Sequence, residues 1–416
     1  MIRFPRSENA SPKVEAGPSP RRVLLPLGLG TAISLLGDST LYTVLPRPSI
    51  AASVGVTLTM VGILLGINRL VRLLSNPLAG WLYDRLPTRR IMIASLGIGF
   101  ISTIILAMGR GFEIYLISRV LWGIAWSGIW IGGNSIVLAI ASDENRGRLS
   151  GRYQVWFFLG ISASAFLGGL FTDLFGFFPG LLISAGLTGI ALLIWIVYLP
   201  ETKPARVVSP RSVKTESSHR FPWRIAFLAS IPVFVFRFVL AGVLASTTIL
   251  WLGSLVGDGL NLELGFIPLA TFAGAFVALR TIAGMISAPI SGKLSDRLNR
   301  RWFVIAILLA LGSVGLWLMS TDAMIIALLG ALLASVPGGG IQALAPVIAG
   351  DTIQPEVEGR VISLMYTIGD IGSALGPPLT LWMVSLMSLT SVYIGCSVLF
   401  ALTALITLRL ELLNAT

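Results

Sequence analysis

The chain has 416 residues, of which 55% are hydrophobic and only 12% charged, more apolar surface than a water-soluble fold can hide. Its formal net charge of +11 would suit a nucleic-acid partner, but the Lys and Arg residues sit in short blocks between apolar segments, a topology signal that excludes a binding stripe. A single cysteine, Cys396, and a single histidine, His219, leave no internal disulfide and no metal cluster, and no cofactor is expected.

In chain order, residues 1–22 form a polar, Pro-rich tail without the apolar core of a signal peptide. Twelve apolar segments follow, each long enough for a hydrocarbon layer of about 30 Å. Their approximate limits are 23–45, 57–79, 91–109, 113–140, 153–173, 177–199, 225–254, 266–290, 302–320, 322–348, 360–384 and 388–410. They are numbered here as spans 1 to 12. Period-two alternation is absent, so the expected class is an all-α polytopic membrane protein and not a β-barrel. Residues 200–224, rich in Pro, Ser and charge, read as a linker between two six-helix bundles, 23–199 and 225–410, and residues 411–416 as a short tail. With the amino terminus inside, 23 of the 30 Lys and Arg residues fall in cytoplasmic segments and two, Arg47 and Arg110, outside. Both termini are therefore expected in the cytoplasm, with the chain multi-pass in the plasma or inner membrane.

The two halves share a sentence. SNPLAGWLYDRLPTR at 75–89 and SAPISGKLSDRLNRR at 287–301 agree at eight of fifteen positions with an offset of 212. The same offset relates Gly147 and Arg148 to Gly359 and Arg360, and Gly160 to Gly372. One ungapped register through two separate loops points to parallel repeats about an axis normal to the membrane, the organisation of a transporter. The Gly-x-Leu-x-Asp-Arg-x-x-x-Arg pattern, twelve spans and a central linker resemble the major facilitator superfamily over residues 23–410. The resemblance implies a rocker-switch fold with span 2 beside span 11 and span 5 beside span 8. It also implies a cavity lined by spans 1, 4, 7 and 10.

Within the motif, Gly80 and Gly292 would let a helix end approach, and Asp84 and Asp296 would meet the positive end of a facing helix when the cytoplasmic side shuts. Arg85, Arg89, Arg297 and Arg301 complete this expected cytoplasmic gate; the plainer reading is that they only set topology. Pro87 and Thr88 depart from the family's pattern in the first copy. Span 11 carries GDIGSALGPP, in which Gly372, Gly376 and Pro377 suggest a hinge. Drug-exporting members of the family carry the glycine-proline motif in span 5, where this chain has Ser164 and Ala165.

Five arginines and two clear aspartates lie inside spans, and each is costly there unless it faces a partner or a cavity. Asp38 in span 1 and Arg119 in span 4 fall at similar depth and can pair. Either the pair is a permanent structural bond, or Asp38 takes up a proton and releases Arg119. The segment SRVLWGIAWSG around Arg119 resembles the superfamily's helix-4 arginine motif, which links it to proton coupling. Trp122, Trp126 and Trp130 continue from Arg119 along an arc of about 80°. That arc is either a substrate wall or a packing ridge. Arg69 and Arg72 stand one turn apart on span 2, and Asp370 on span 11 is expected to pair with one of them. Arg237 and Arg280 then lack a carboxylate, so they either contact an anionic substrate or bond to backbone carbonyls.

The expected function is secondary active transport of a small organic solute, anionic or amphipathic, by alternating access with proton-coupled efflux. The alternative is a facilitator or importer of an organic anion. Protons and the lipid bilayer are the other partners, the chain is expected to act as a monomer, and it carries no enzyme signature such as a Walker loop or a Gly-x-Ser-x-Gly elbow.

Overall fold

The computed structural model describes residues 20–142, 145–201, 222–263, 265–352 and 355–414. Most of the amino-terminal tail and the linker, with His219, lie outside the described residues. Among the described residues, eleven helices are long and apolar enough to cross a membrane. The twelfth long helix, Pro355–Val384, has 30 residues but carries Asp370 and the glycine-proline segment, which lower its hydropathy. Large apolar side chains such as Leu74, Met108 and Ile325 are exposed around the outside, as suits contact with acyl chains.

The predicted spans are recovered, most of them with longer ends. Span 2 is Leu58–Tyr83 and span 8 is Leu269–Leu298, so the repeated motif is largely helix end and not loop. Thr57 caps span 2 by accepting from the Met60 N–H at 3.3 Å. Span 1 is interrupted: Pro20–Ser34 ends at Leu35, and Leu36–Val44 starts afresh. Span 7 contains Trp223–Phe236, a π-helical stretch Arg237–Leu244, and Ala245–Val256. Two short elements lie between spans on the far face from the motif, and the second departs from the all-helical expectation. A short helix, Pro48–Val54, follows span 1, and a two-stranded antiparallel hairpin, β1 (Gly259–Leu262) and β2 (Gly265–Pro268), precedes span 8.

Spans 3, 4, 5 and 6 are Thr88–Met108, Phe112–Ile140, Arg146–Phe175 and Phe177–Tyr198. Spans 9, 10 and 12 are Arg301–Leu318, Met324–Thr352 and Leu389–Asn414. Between the halves, span 5 packs on span 8 and span 2 on span 11. Close approach there depends on missing side chains: a methyl added at Gly62 would lie 2.7 Å from the carbonyl oxygen of Pro377. Pro378 cannot donate to the carbonyl of Ala374, and that carbonyl faces Gly66 of span 2. Within the halves, paired serines lock neighbouring helices. Ser102 and Ser118 each donate to the other's carbonyl across spans 3 and 4, and Ser313 and Ser397 do so across spans 9 and 12.

The hinge expected at Gly372, Gly376 and Pro377 is not a break, because span 11 is one unbroken helix through them. These residues are contact points. Gly376 lies directly against Gly242 of span 7, and Gly372 faces the Phe234 carbonyl. The backbone irregularity sits opposite, in the π-helical stretch of span 7.

Candidate functional site

Asp38 opens the restarted helix of span 1, so its carboxylate lies at the positive end of Leu36–Val44. It accepts a 2.5 Å hydrogen bond from Arg119 Nη2, whose side chain is fully buried. Arg119 Nε donates to the Leu64 carbonyl at 3.2 Å, and Asn68 Nδ2 donates to Asp38 at 3.3 Å. Arg119 Nη1 and Asn68 Oδ1 are buried without partners. The cluster therefore joins spans 1, 2 and 4 around one carboxylate and one guanidinium, with spare hydrogen-bonding capacity. Asn68 was not singled out in the sequence; a buried amide in an apolar span was the available signal.

The second half repeats the layout with different chemistry. Arg280 lies 212 positions after Asn68, and its guanidinium donates to Thr248 of span 7 and Ser335 of span 10, each at 2.9 Å. It is buried among hydroxyls, which answers the expectation of an unpartnered substrate cation: neither a carboxylate nor a carbonyl holds it. Asp370 pairs with Arg237 and not with Arg69 or Arg72. The reason is local. Gly369 has no side chain, so the stem of Arg237 passes across span 11 and brings its Nη1 to the carboxylate. Arg69 instead donates to the Tyr42 hydroxyl at 3.0 Å and lies over that ring. Arg72 makes no hydrogen bond or ion pair among the described residues, and its Nε is buried without a partner.

Arg72 and Asp370 nonetheless face the same space. A cavity of about 360 Å³ lies between spans 2 and 11, on their motif-side half, lined by Arg72, Asn76, Ser363, Tyr366, Thr367 and Asp370 among others. Arg237 lies over the Tyr366 ring at 5.4 Å. This cavity is thus built by spans 2 and 11, the helices at the seam between halves.

The tryptophan arc is a packing ridge. Trp122, Trp126 and Trp130 stack in series at 6.1 and 5.8 Å, and Trp126 and Trp130 continue onto Phe157 of span 5. Trp122 and Trp126 are buried and Trp130 half-buried, with the Trp122 ring over Gly99 of span 3. None of the three lines the seam cavity, because the ridge faces span 5. Trp126→Ala should lower stability by about 3–5 kcal/mol, as for buried aromatics generally, while the KM of transport stays within about twofold. Thermal melting and flux kinetics on one preparation check both numbers.

At the motif face the expected gate is parted. Asp84 is exposed, and open space surrounds Gly80 and Gly292, so neither glycine receives a helix end in this conformation. Arg85 lies over Trp81 at 4.0 Å, Arg89 donates to the Ile196 carbonyl, and Arg297 is exposed. In the second copy Arg301 bonds Asp296 and also Asp351 of span 10 at 3.1 Å. These side chains tie each motif to its own half, which is what separated halves permit.

The far face is joined. Arg47 pairs with Asp258 across the halves at 3.0 Å. Asp173, at the end of span 5, accepts from the backbone N–H of Thr271 at 2.6 Å and from its hydroxyl at 2.7 Å. Thr271 lies in the first turn of span 8, so one half caps a helix of the other. Asp173→Ala should remove about 1 kcal/mol of far-face closure, a fivefold shift in conformer ratio. A cysteine at position 363, in the seam cavity, should then be labelled measurably more slowly by a thiol reagent. Unchanged labelling would show that the cap does not set the equilibrium.

A duplicated helical bundle with buried charge clusters and a cavity at the seam between halves defines a membrane transporter that works by parting alternate faces. The chain belongs to the Major Facilitator Superfamily, whose sequence profile matches residues 27–287 and 270–414. Multidrug resistance protein MdtG of Salmonella typhimurium is 23% identical over 320 residues, covering 76% of each chain. Among solved structures, a POT family transporter in complex with 5-aminolevulinic acid matches with a TM-score of 0.76 at 12% identity, over 95% of this chain and 99% of that one. A bacterial homolog of the human lysosomal transporter Spinster, inward-facing and occupied, gives 0.72 at 15% identity over 93% and 94%. The human organic anion transporter MFSD10 gives 0.64 at 20% identity over 94% and 100%. These similarities establish the fold.

Proposed function

We propose that the chain is a proton-coupled exporter of a small organic solute. It lies in the plasma or inner membrane with the motif face and both termini in the cytoplasm. Bundles 23–199 and 225–410, joined by the linker 200–224, rock about the seam. The observation that carries the coupling is the Asp38–Arg119 pair, a carboxylate whose one ion-paired cation among the described residues is fully buried. Protonating Asp38 cancels the charge that holds Arg119, and the guanidinium then turns to backbone and amide acceptors nearby. Asp38 takes its proton when its cluster is open to the outside and gives it up when open to the cytoplasm, so solute leaves as a proton enters. The multidrug resistance proteins named above support the outward direction.

Flux in proteoliposomes with and without an imposed pH gradient tests this reading. With the cytoplasmic face toward the lumen and solute loaded inside, an outside-acid gradient should stimulate efflux, and gradient-independent flux would sink the reading. The second reading, a facilitator or importer of an organic anion, draws on the excess of arginine over aspartate within the spans.

A further inference from the structure

The seam cavity has a charge that the protein leaves uncompensated. Three arginines, Arg69, Arg72 and Arg237, project from the seam helices within electrostatic reach of two carboxylates, Asp370 and Asp38, and both carboxylates are already bonded, Asp370 to Arg237 and Asp38 to Arg119. Arg69 rests on the Tyr42 hydroxyl. Arg72 alone lines the cavity with neither ion pair nor hydrogen bond among the described residues. A guanidinium held at a low-dielectric seam without a counter-ion is costly, and an occupant carrying negative charge relieves that cost.

We propose that the cavity between spans 2 and 11 is the substrate site, and that Arg72 is the counter-ion for the carboxylate or phosphonate of a small organic acid. This rests on the transporter reading above and names its substrate class. The fork of Arg72 suits two-point bonding to such a group. Asn76, Ser363 and Thr367 supply neutral hydrogen-bonding groups around it, and the Tyr366 ring offers a flat apolar wall for the body of the ligand. A cavity of about 360 Å³ is at the small end of ligand sites, which favours a compact acid over a large lipophile. Asp370 faces the same space but is neutralised by Arg237, so it neither repels a monoanion strongly nor calls for a cation.

The site also lies where alternating access needs it. Spans 2 and 11 belong to different halves, and above the cavity they are in tight contact at Gly62 and Gly66. An anion bridging Arg72 on one half and the hydroxyls of Ser363 and Thr367 on the other would draw the motif face shut.

Equilibrium binding to the purified full chain in detergent, at fixed pH and without any gradient, tests the proposal. The probes are radiolabelled benzoate, butyrate and methylphosphonate, with benzamide and benzylamine as neutral and cationic controls and chloride as inorganic competitor. At least one of the three acids should bind saturably, and the two controls should not. Arg72→Gln should weaken that binding at least tenfold, Arg72→Lys should weaken it less because it keeps the charge, and Arg409→Gln at the exposed end of span 12 should leave it unchanged. Arg72→Gln should also melt no lower than the parent, since it removes an unpaired charge; if it fails to fold, Arg72→Lys decides. No saturable binding of any acid, equal binding of benzylamine, full displacement by equimolar chloride, or undiminished binding to a folded Arg72→Gln would each overturn the site. Because no gradient is present, loss of proton coupling leaves this result untouched. Conversely, gradient-driven flux of a cation would sink the substrate class while sparing the coupling.

Discussion

Asp38→Asn should abolish accumulation of solute against its gradient while leaving downhill flux in place. One proton per solute makes a difference of one pH unit worth 1.36 kcal/mol, enough to sustain about a tenfold solute ratio. In Asp38→Asn that ratio should fall to one, because the amide neither binds nor releases the coupling proton. The substitution also removes the counter-charge of Arg119, whose side chain is fully buried, and stability should drop by about 1.5–3 kcal/mol, the worth of a hydrogen bond to a charged group, since nearby acceptors take up the guanidinium. The double variant Asp38→Asn, Arg119→Gln should recover much of the stability and none of the coupling. Asp38→Glu should retain coupling with an altered pH profile. A purely structural ion pair predicts the same loss of stability, but whatever protein folded would still concentrate solute tenfold.

The second large effect concerns the seam. Asp370→Asn leaves Arg237 without its carboxylate beside Arg72, and a loss of about 3–5 kcal/mol is expected. On the usual scaling of melting temperature for chains of a few hundred residues, that is a fall of about 10 °C. Exchanging the pair, Asp370→Arg with Arg237→Asp, should return most of the stability, with a coupling energy of about 2–3 kcal/mol in the double-mutant cycle. Exchanging Asp370 with Arg69 or with Arg72 should not, since neither is bonded to it. Rescue by an Arg72 exchange instead would mean that Arg72 and Asp370 pair directly, and Arg72 would then be unavailable to a ligand.

The topology was readable because its causes are local and repeated. A span announces itself by apolar length, orientation by the placement of basic residues, and duplication by an offset of 212 that survives in two loops. Asp38 and Arg119 could be matched because both are rare charges at similar depth on helices of one half. Asp370 was assigned to the wrong arginine for a reason invisible in one dimension. Helix adjacency alone favoured span 2, but the path from Arg237 is opened by the bare backbone at Gly369. The tryptophan arc was correctly placed on one helix face, yet periodicity does not say what that face meets, and the rings of span 5 meet it. The π-helical stretch of span 7 and the cap from Asp173 to Thr271 had no signal in composition or spacing.

The amino-acid sequence by itself determined the membrane class, the helical spans, the twofold repeat and the excess of arginine within it, since each follows from residue type and order along the chain. Only the tertiary structure decided which charges neutralise one another and which guanidinium is left facing a cavity. It also decided which face of the bundle is joined. Those outcomes depend on close approaches between helices more than a hundred residues apart, where the absence of a single side chain at Gly62, Gly242 or Gly369 sets who can touch whom.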